Sequence, residues 1–156
     1  MNERMTKMKN GQNKLLENNS KLTEMTDKDI FIEGLKKRTK KFGVDVILFC
    51  DSLKVCKTST VVTYQLVKSA TSTWANYRAA CRGRSDNEFF SKICIVVEEC
   101  DESVFWLEII EETALSNNIT ELKRLLIEGN EILKILSKTK DTTYKNLNSK
   151  KINITK

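Results

Sequence analysis

Apolar residues recur along this chain at steps of three and four, the spacing that lines one face of an α-helix. In the first such pattern Leu35, Phe42, Val46, Phe49 and Leu53 form a stripe, predicting a helix from about Asp29 to Lys54, followed by a loop to about Thr60. A second stripe, Leu66, Ala70, Trp74, Tyr77 and Cys81, predicts a helix from about Ser59 to Arg82, with Gly83 just past its cap as the terminator. Ser85 followed by Glu88 is a capping box. It opens a third pattern, Phe89 and Phe90, Ile93, Val97, Cys100, Val104, Leu107 and Ile110, with Asp86 and Glu88 in the first turn where the helix dipole favours acids. The fourth starts near Asn118, with Glu121 close behind, and carries Leu122, Leu125, Gly129, Ile132 and Leu136.

The links between the second and third helices and between the third and fourth are short, so those neighbours run antiparallel. One amphipathic helix cannot bury its stripe alone, whereas four can share a core. The predicted fold is all-α, an antiparallel up-down-up-down four-helix bundle over residues 29–140. Residues 1–28 are polar without sustained periodicity and are expected to be a mobile tail. Residues 141–156 repeat Asn, Lys and Thr and are expected to fray.

Composition sharpens this. The chain has no proline and five glycines, too few turn residues for a sandwich or barrel. It has no histidine, which removes the usual general base and most zinc and di-iron designs. The five cysteines form no Cys-x-x-Cys pair and are expected inside helical patterns as small core residues, which predicts a reducing, cytoplasmic setting. Apolar runs such as Val46–Cys50 are far short of a membrane span, and the polar start resembles no signal peptide. No catalytic residue, metal ligand or cofactor is predicted. Four acids of the third helix, Glu98, Glu99, Asp101 and Glu102, read as a solvated or salt-bridged face.

Charge is distributed in blocks. Residues 59–84 carry Lys68, Arg78, Arg82 and Arg84 and no acid, while residues 85–116 carry nine acids against Lys92 alone. Two basic features are candidate phosphate contacts: the run Lys36, Lys37, Arg38, Lys40 and Lys41, which wraps around its helix and leaves only Thr39 for the core, and Lys68, Arg78, Arg82 and Arg84 on or just beyond the second. The plain alternatives are a solvated lysine face and, for the arginines, pairing with the acidic helix. On the second helix Ser69, Ser72, Thr73, Asn76 and Ala80 share a face of small or short polar residues, and Ser72 and Asn76 are the expected polar pins between helices. Trp74, Tyr77 and Trp106 are expected as core or subunit contacts rather than base-stacking platforms.

The segments Gln65–Ala80, Arg82–Ser85, Phe89–Lys92, Glu98–Glu102 and Phe105–Leu107, taken in order, resemble a bacterial family. It is that of the four-helix-bundle proteins encoded in intervening sequences of 23S ribosomal RNA genes, the S23-type proteins, and the resemblance covers about residues 30–140. It implies an antiparallel bundle assembling into a homopentamer. It also implies kinship with the accessory variability determinant of diversity-generating retroelements, a basic pentamer that binds nucleic acid and a reverse transcriptase. Three positions depart from the pattern: Thr73 stands where an isoleucine is usual, Trp74 where a small residue is usual, and Ala79 where many members have glutamate. The expected function is therefore a non-enzymatic, oligomeric, basic bundle binding RNA or DNA backbone, as an accessory to a nucleic-acid enzyme such as a reverse transcriptase. The alternative is a protein-interaction scaffold whose charges are consumed between subunits.

Overall fold

The computed structural model describes the backbone of residues 25–154 and the side chains of residues 25–150. It contains four helices: α1 (Asp27–Cys50), α2 (Lys57–Ala80), α3 (Asp86–Glu112) and α4 (Ile119–Ile154). The predicted N-terminal tail lies almost wholly outside the described residues. The bundle is the compact unit from residue 36 onward, and the described residues 25–35 fall outside that unit.

Each helix starts where a side chain can take up orphan backbone donors. At α1 the pair is Thr26 and Asp29, each receiving the other's backbone N–H, at 3.1 and 3.2 Å. At α2 it is Cys56 and Ser59: the Cys56 thiol accepts from the Ser59 N–H at 3.3 Å and the Ser59 hydroxyl accepts from the Cys56 N–H at 2.9 Å. Ser85 caps α3 as expected, but the Glu88 carboxylate reaches back one residue further, to the N–H of Arg84 at 3.0 Å. Asn118 caps α4 through Glu121 N–H.

Three sequence expectations are corrected in detail. Gly83 is not left-handed; the cap of α2 is Cys81, and Gly83 is needed for space, since a Cβ there would stand 3.1 Å from the Ala80 carbonyl oxygen and 3.3 Å from the Phe89 nitrogen. Cys56 is not in a helical core pattern but is the exposed cap just described. The fourth helix does not stop near Asp141. It continues to Ile154, and Tyr144 meets Phe90 of α3 at 5.8 Å between ring centroids while Lys150 pairs with Asp86.

The antiparallel order is legible in the contacts. Across α1 and α2, Lys40 lies over Trp74, the Gly43 backbone approaches Ala70 and Thr71, and the Cys50 thiol meets Thr63. Across α2 and α3, Ser103 donates to Ser69 at 3.0 Å. Across α3 and α4, the Cys100 thiol donates to the Gly129 carbonyl. Across α4 and α1, Arg38 pairs with Glu128 and Arg124 with Asp45.

The core is the set of stripes facing inward. Phe42, Val46 and Phe49 on α1, Leu66, Ala70 and Tyr77 on α2, Ile93, Cys100, Leu107 and Ile110 on α3, and Leu122, Leu125, Ile132 and Leu136 on α4 are buried. Thr39 is buried within the basic run, as its place on the helix requires. Trp74 and Cys81, expected in the α2 stripe, are only half-buried, and Val96 and Ser103 take core positions that the α3 pattern does not single out.

The loop joining α3 to α4 holds one strained residue. Ala114 has φ 51°, in the left-handed region, and its carbonyl accepts from the Lys54 ammonium at 2.8 Å. A Cβ is disfavoured there, so Ala114→Gly is expected to raise stability by about 0.5–1 kcal/mol, seen as a higher urea midpoint at unchanged slope.

Candidate nucleic-acid interface

The basic run of α1 divides between two seams because successive helical residues point in different directions. Arg38 and Lys41 face α4. The Arg38 guanidinium grips Glu128 through two parallel bonds of 2.6 and 2.8 Å, and Lys41 binds Asp45, which also receives Arg124 at 2.6 Å. Lys40 faces α2, its ammonium 5.6 Å from the centroid of the Trp74 ring. Lys37 is exposed and Lys36 half-buried.

These pairs shift titrations in a consistent direction. Glu128 is held below its ordinary value chiefly by the hydrogen bond from Arg38, and Glu121 by that from Arg124. Burial pulls Asp45 upward, but the bonds from Lys41 and Arg124 together outweigh it, so its carboxyl also lies low. Carboxylates whose folded values are depressed stabilise the fold at neutral pH and lose that contribution as pH falls through those values. Stability is therefore expected to decline below about pH 4. In Asp45→Asn the decline should be shallower, with a cost at pH 7 of about 1–2 kcal/mol, both measured by denaturant melts across pH.

α2 carries the other candidates. From Lys57 to Arg84 there are five basic residues and no acid. Lys68, Arg78 and Arg82 are exposed, and with Lys57, Tyr64, Thr71 and Ala75 they fall at steps of three, four and seven on the stripe opposite the core. Lys37, Lys40, Lys68, Arg78 and Arg82 form no ion pair with any described residue, whereas Arg84 sits 3.6 Å from Glu88. The alternative reading, pairing of the arginine cluster with acidic α3, holds for Arg84 with Glu88 and is not seen for Arg78 or Arg82 among the described residues. The structure thus sets Lys40 beside Trp74 and leaves Arg78 and Arg82 exposed further along and just past α2, and it turns Arg38 and Lys41 to the α4 side.

The acids of α3 are equally open. Glu98, Asp101, Glu108, Glu111 and Glu112 are exposed and make no ion pair among the described residues. Glu99 is half-buried, and one of its oxygens is without a hydrogen-bond partner. Burial first, then the charge of Glu102, pushes its titration up, against the opposing pull of Lys68. No group of three Cys, Asp or Glu able to hold a metal ion is found among the described residues.

The expected pins fall elsewhere. Asn76 turns its amide onto the Ser72 carbonyl of its own helix, at 3.0 Å. The inter-helix bond at this seam is Ser103 to Ser69, because Ser69 is wholly buried while Ser72 and Asn76 lie half-exposed at the rim. Of the aromatic residues, Tyr77 is core as predicted; Trp106 is half-buried and donates to Glu102. Tyr64, which the apolar pattern does not pick out, is 69% exposed on the basic stripe. The spacing of Tyr64 from Lys57, Lys68 and Thr71 is the signal that would have found it.

The cysteines differ sharply. Burial pushes Cys50 to about 11 and Cys100 to about 12, while the exposed Cys56 thiol is lowered by the Ser59 backbone N–H and hydroxyl. A thiol-alkylating reagent at pH 8 is expected to modify Cys56 at least about tenfold faster than Cys50 or Cys100, as read by peptide mass spectrometry.

With this geometry in view, a solved structure bears on the reading: a protein of unknown function from the S23 ribosomal protein family of Bacteroides thetaiotaomicron. It matches with a TM-score of 0.62 at 25% identity, over 68% of this chain and 97% of the other. The chain is similar to an S23-family protein. No protein-family model and no curated protein matches it.

Proposed function

We propose that this protein is a non-enzymatic, self-associating member of the S23-type bundles that binds nucleic acid through its phosphates. The observation that carries the reading is the acid-free stripe along α2 and just past its end, whose Lys68, Arg78 and Arg82 form no ion pair with a described residue, Lys68 acting on Glu99 only at longer range. Guanidinium and ammonium groups on a helix and the turn that ends it contact phosphates without reading bases, with affinity that falls steeply with salt. The ribosomal label of the structural neighbour agrees with an RNA-associated role. A nucleic-acid enzyme such as a reverse transcriptase is the protein partner this role suggests. Four of the five cysteines are buried or half-buried and all are free, which suits the cytoplasm.

Self-association has its own support. Val44, Ile47 and Leu48 on α1 are 44%, 39% and 64% exposed, and Phe105 on acidic α3 is 48% exposed. A basic surface and an acidic surface, each left open and each with apolar residues, complement one another between copies. This also favours the second reading, a scaffold whose basic face is covered by the next subunit's α3.

Light scattering with and without a short structured RNA, at low and high salt, separates the two. An oligomer that gains RNA mass only at low salt supports the proposal. One that ignores RNA at both salts leaves the scaffold, and a monomer rules against self-association.

A further inference from the structure

We infer that the nucleic acid taken by this face is single-stranded, with a base stacking on Tyr64 while Lys68, Arg78 and Arg82 hold the backbone. This rests on the phosphate-binding reading above and names its substrate class.

The stripe is more than a row of charges. Tyr64 stands one turn from Lys68, and Lys68 is ten residues, about 15 Å, from Arg78, with Arg82 in the turn just past the helix end. The interval is floored by short side chains. Thr71 ties up its hydroxyl on the Val67 and Lys68 carbonyls of its own helix, at 2.7 and 3.1 Å, and Ala75 is exposed. Along one edge runs the half-buried Trp74 with the Lys40 ammonium beside its ring.

The chemistry offered is therefore ring faces, small apolar spacers and cations, with few side-chain groups to read base edges. That combination suits unstacked bases and tolerates any sequence, because every base has a face to stack. A duplex keeps its bases inside the stack, so an exposed Tyr64 adds nothing to duplex affinity, and phosphate contacts alone would call for more cations in that interval.

The test compares a fluorescein-labelled oligouridylate of about 20 nucleotides with the same strand annealed to oligoadenylate, by anisotropy at one low salt concentration. The single strand is expected to bind the intact protein about tenfold more tightly than the duplex. Tyr64→Ala should lower single-strand affinity about tenfold and leave duplex affinity unchanged, whereas Tyr64→Phe, which keeps the ring, should retain it. Equal or tighter duplex binding, or a Tyr64→Ala loss of the same size on both probes, overturns the single-strand assignment and leaves phosphate binding standing. Absence of binding to either probe overturns both.

Discussion

Phe42→Ala is expected to destabilise the fold by about 3–5 kcal/mol, the largest stability effect of any single truncation in this bundle. Phe42 is 1% exposed, and its ring packs against α4 where that helix has Gly129 in place of a side chain. A Cβ on Gly129 would meet Val104 Cγ2 at 3.0 Å and the Phe42 ring at 3.3 Å. The large residue on α1 fills the notch left by the small one on α4, so truncation opens a cavity that three helices would have to collapse to fill. The complementary change is equally costly in the opposite sense: Gly129→Leu should overpack the notch and cost about 3 kcal/mol. Gly129→Ala is the informative control, since alanine favours helix by about 1 kcal/mol and the crowding works against that gain. Combined with Phe42→Leu, which frees space, Gly129→Ala should be better tolerated than the sum of the single changes, a coupling that a double-mutant cycle in urea would read. Additive costs would show that the two residues are not the complementary pair described.

The second large effect concerns binding. Arg78→Glu with Arg82→Glu is expected to lower nucleic-acid affinity at least about 100-fold at low salt, and to reduce the salt slope by about two. Both arginines are exposed and neither forms an ion pair with a described residue, so the double variant should melt within about 0.5 kcal/mol of the parent. Arg38→Ala gives the contrast. Arg38 is committed to Glu128, so its loss should cost stability and leave the salt slope almost unchanged. If the double reversal instead changes the oligomer mass and leaves binding untouched, the basic stripe is a subunit contact and the scaffold reading holds.

Read from its sequence alone, this chain already declares its fold. Apolar steps of three and four, the absence of proline and the capping pairs at Ser85 and Asn118 are local properties, and local properties determine where helices form and which face of each must be hidden. The inward place of Thr39 within a run of lysines followed from helical geometry, and so did the inward Gly129. Extents were less legible. α4 runs beyond Asp141 because Tyr144 and Lys150 find partners on α3, 54 and 64 residues away in sequence, and no periodicity reports such a partner.

The candidate interface divided in the same way. That α2 is basic and free of acids is written in the residues themselves. Which cations remain open is not, because an ion pair depends on which helices become neighbours and at what register. Glu128 claims Arg38, and Arg124 joins the Lys41–Asp45 pair of α1, only once α4 lies antiparallel to α1, while Arg78 and Arg82 point away from the core and form no ion pair with a described residue. The polar pin lies at Ser69, about two turns from Asn76, because Ser103 of α3 comes level with Ser69 while Asn76 bonds the Ser72 carbonyl of its own helix. Sequence determined the helices and the sign of their charge; the packing of four helices against one another decided which charges, and which aromatic ring, are left to meet a partner.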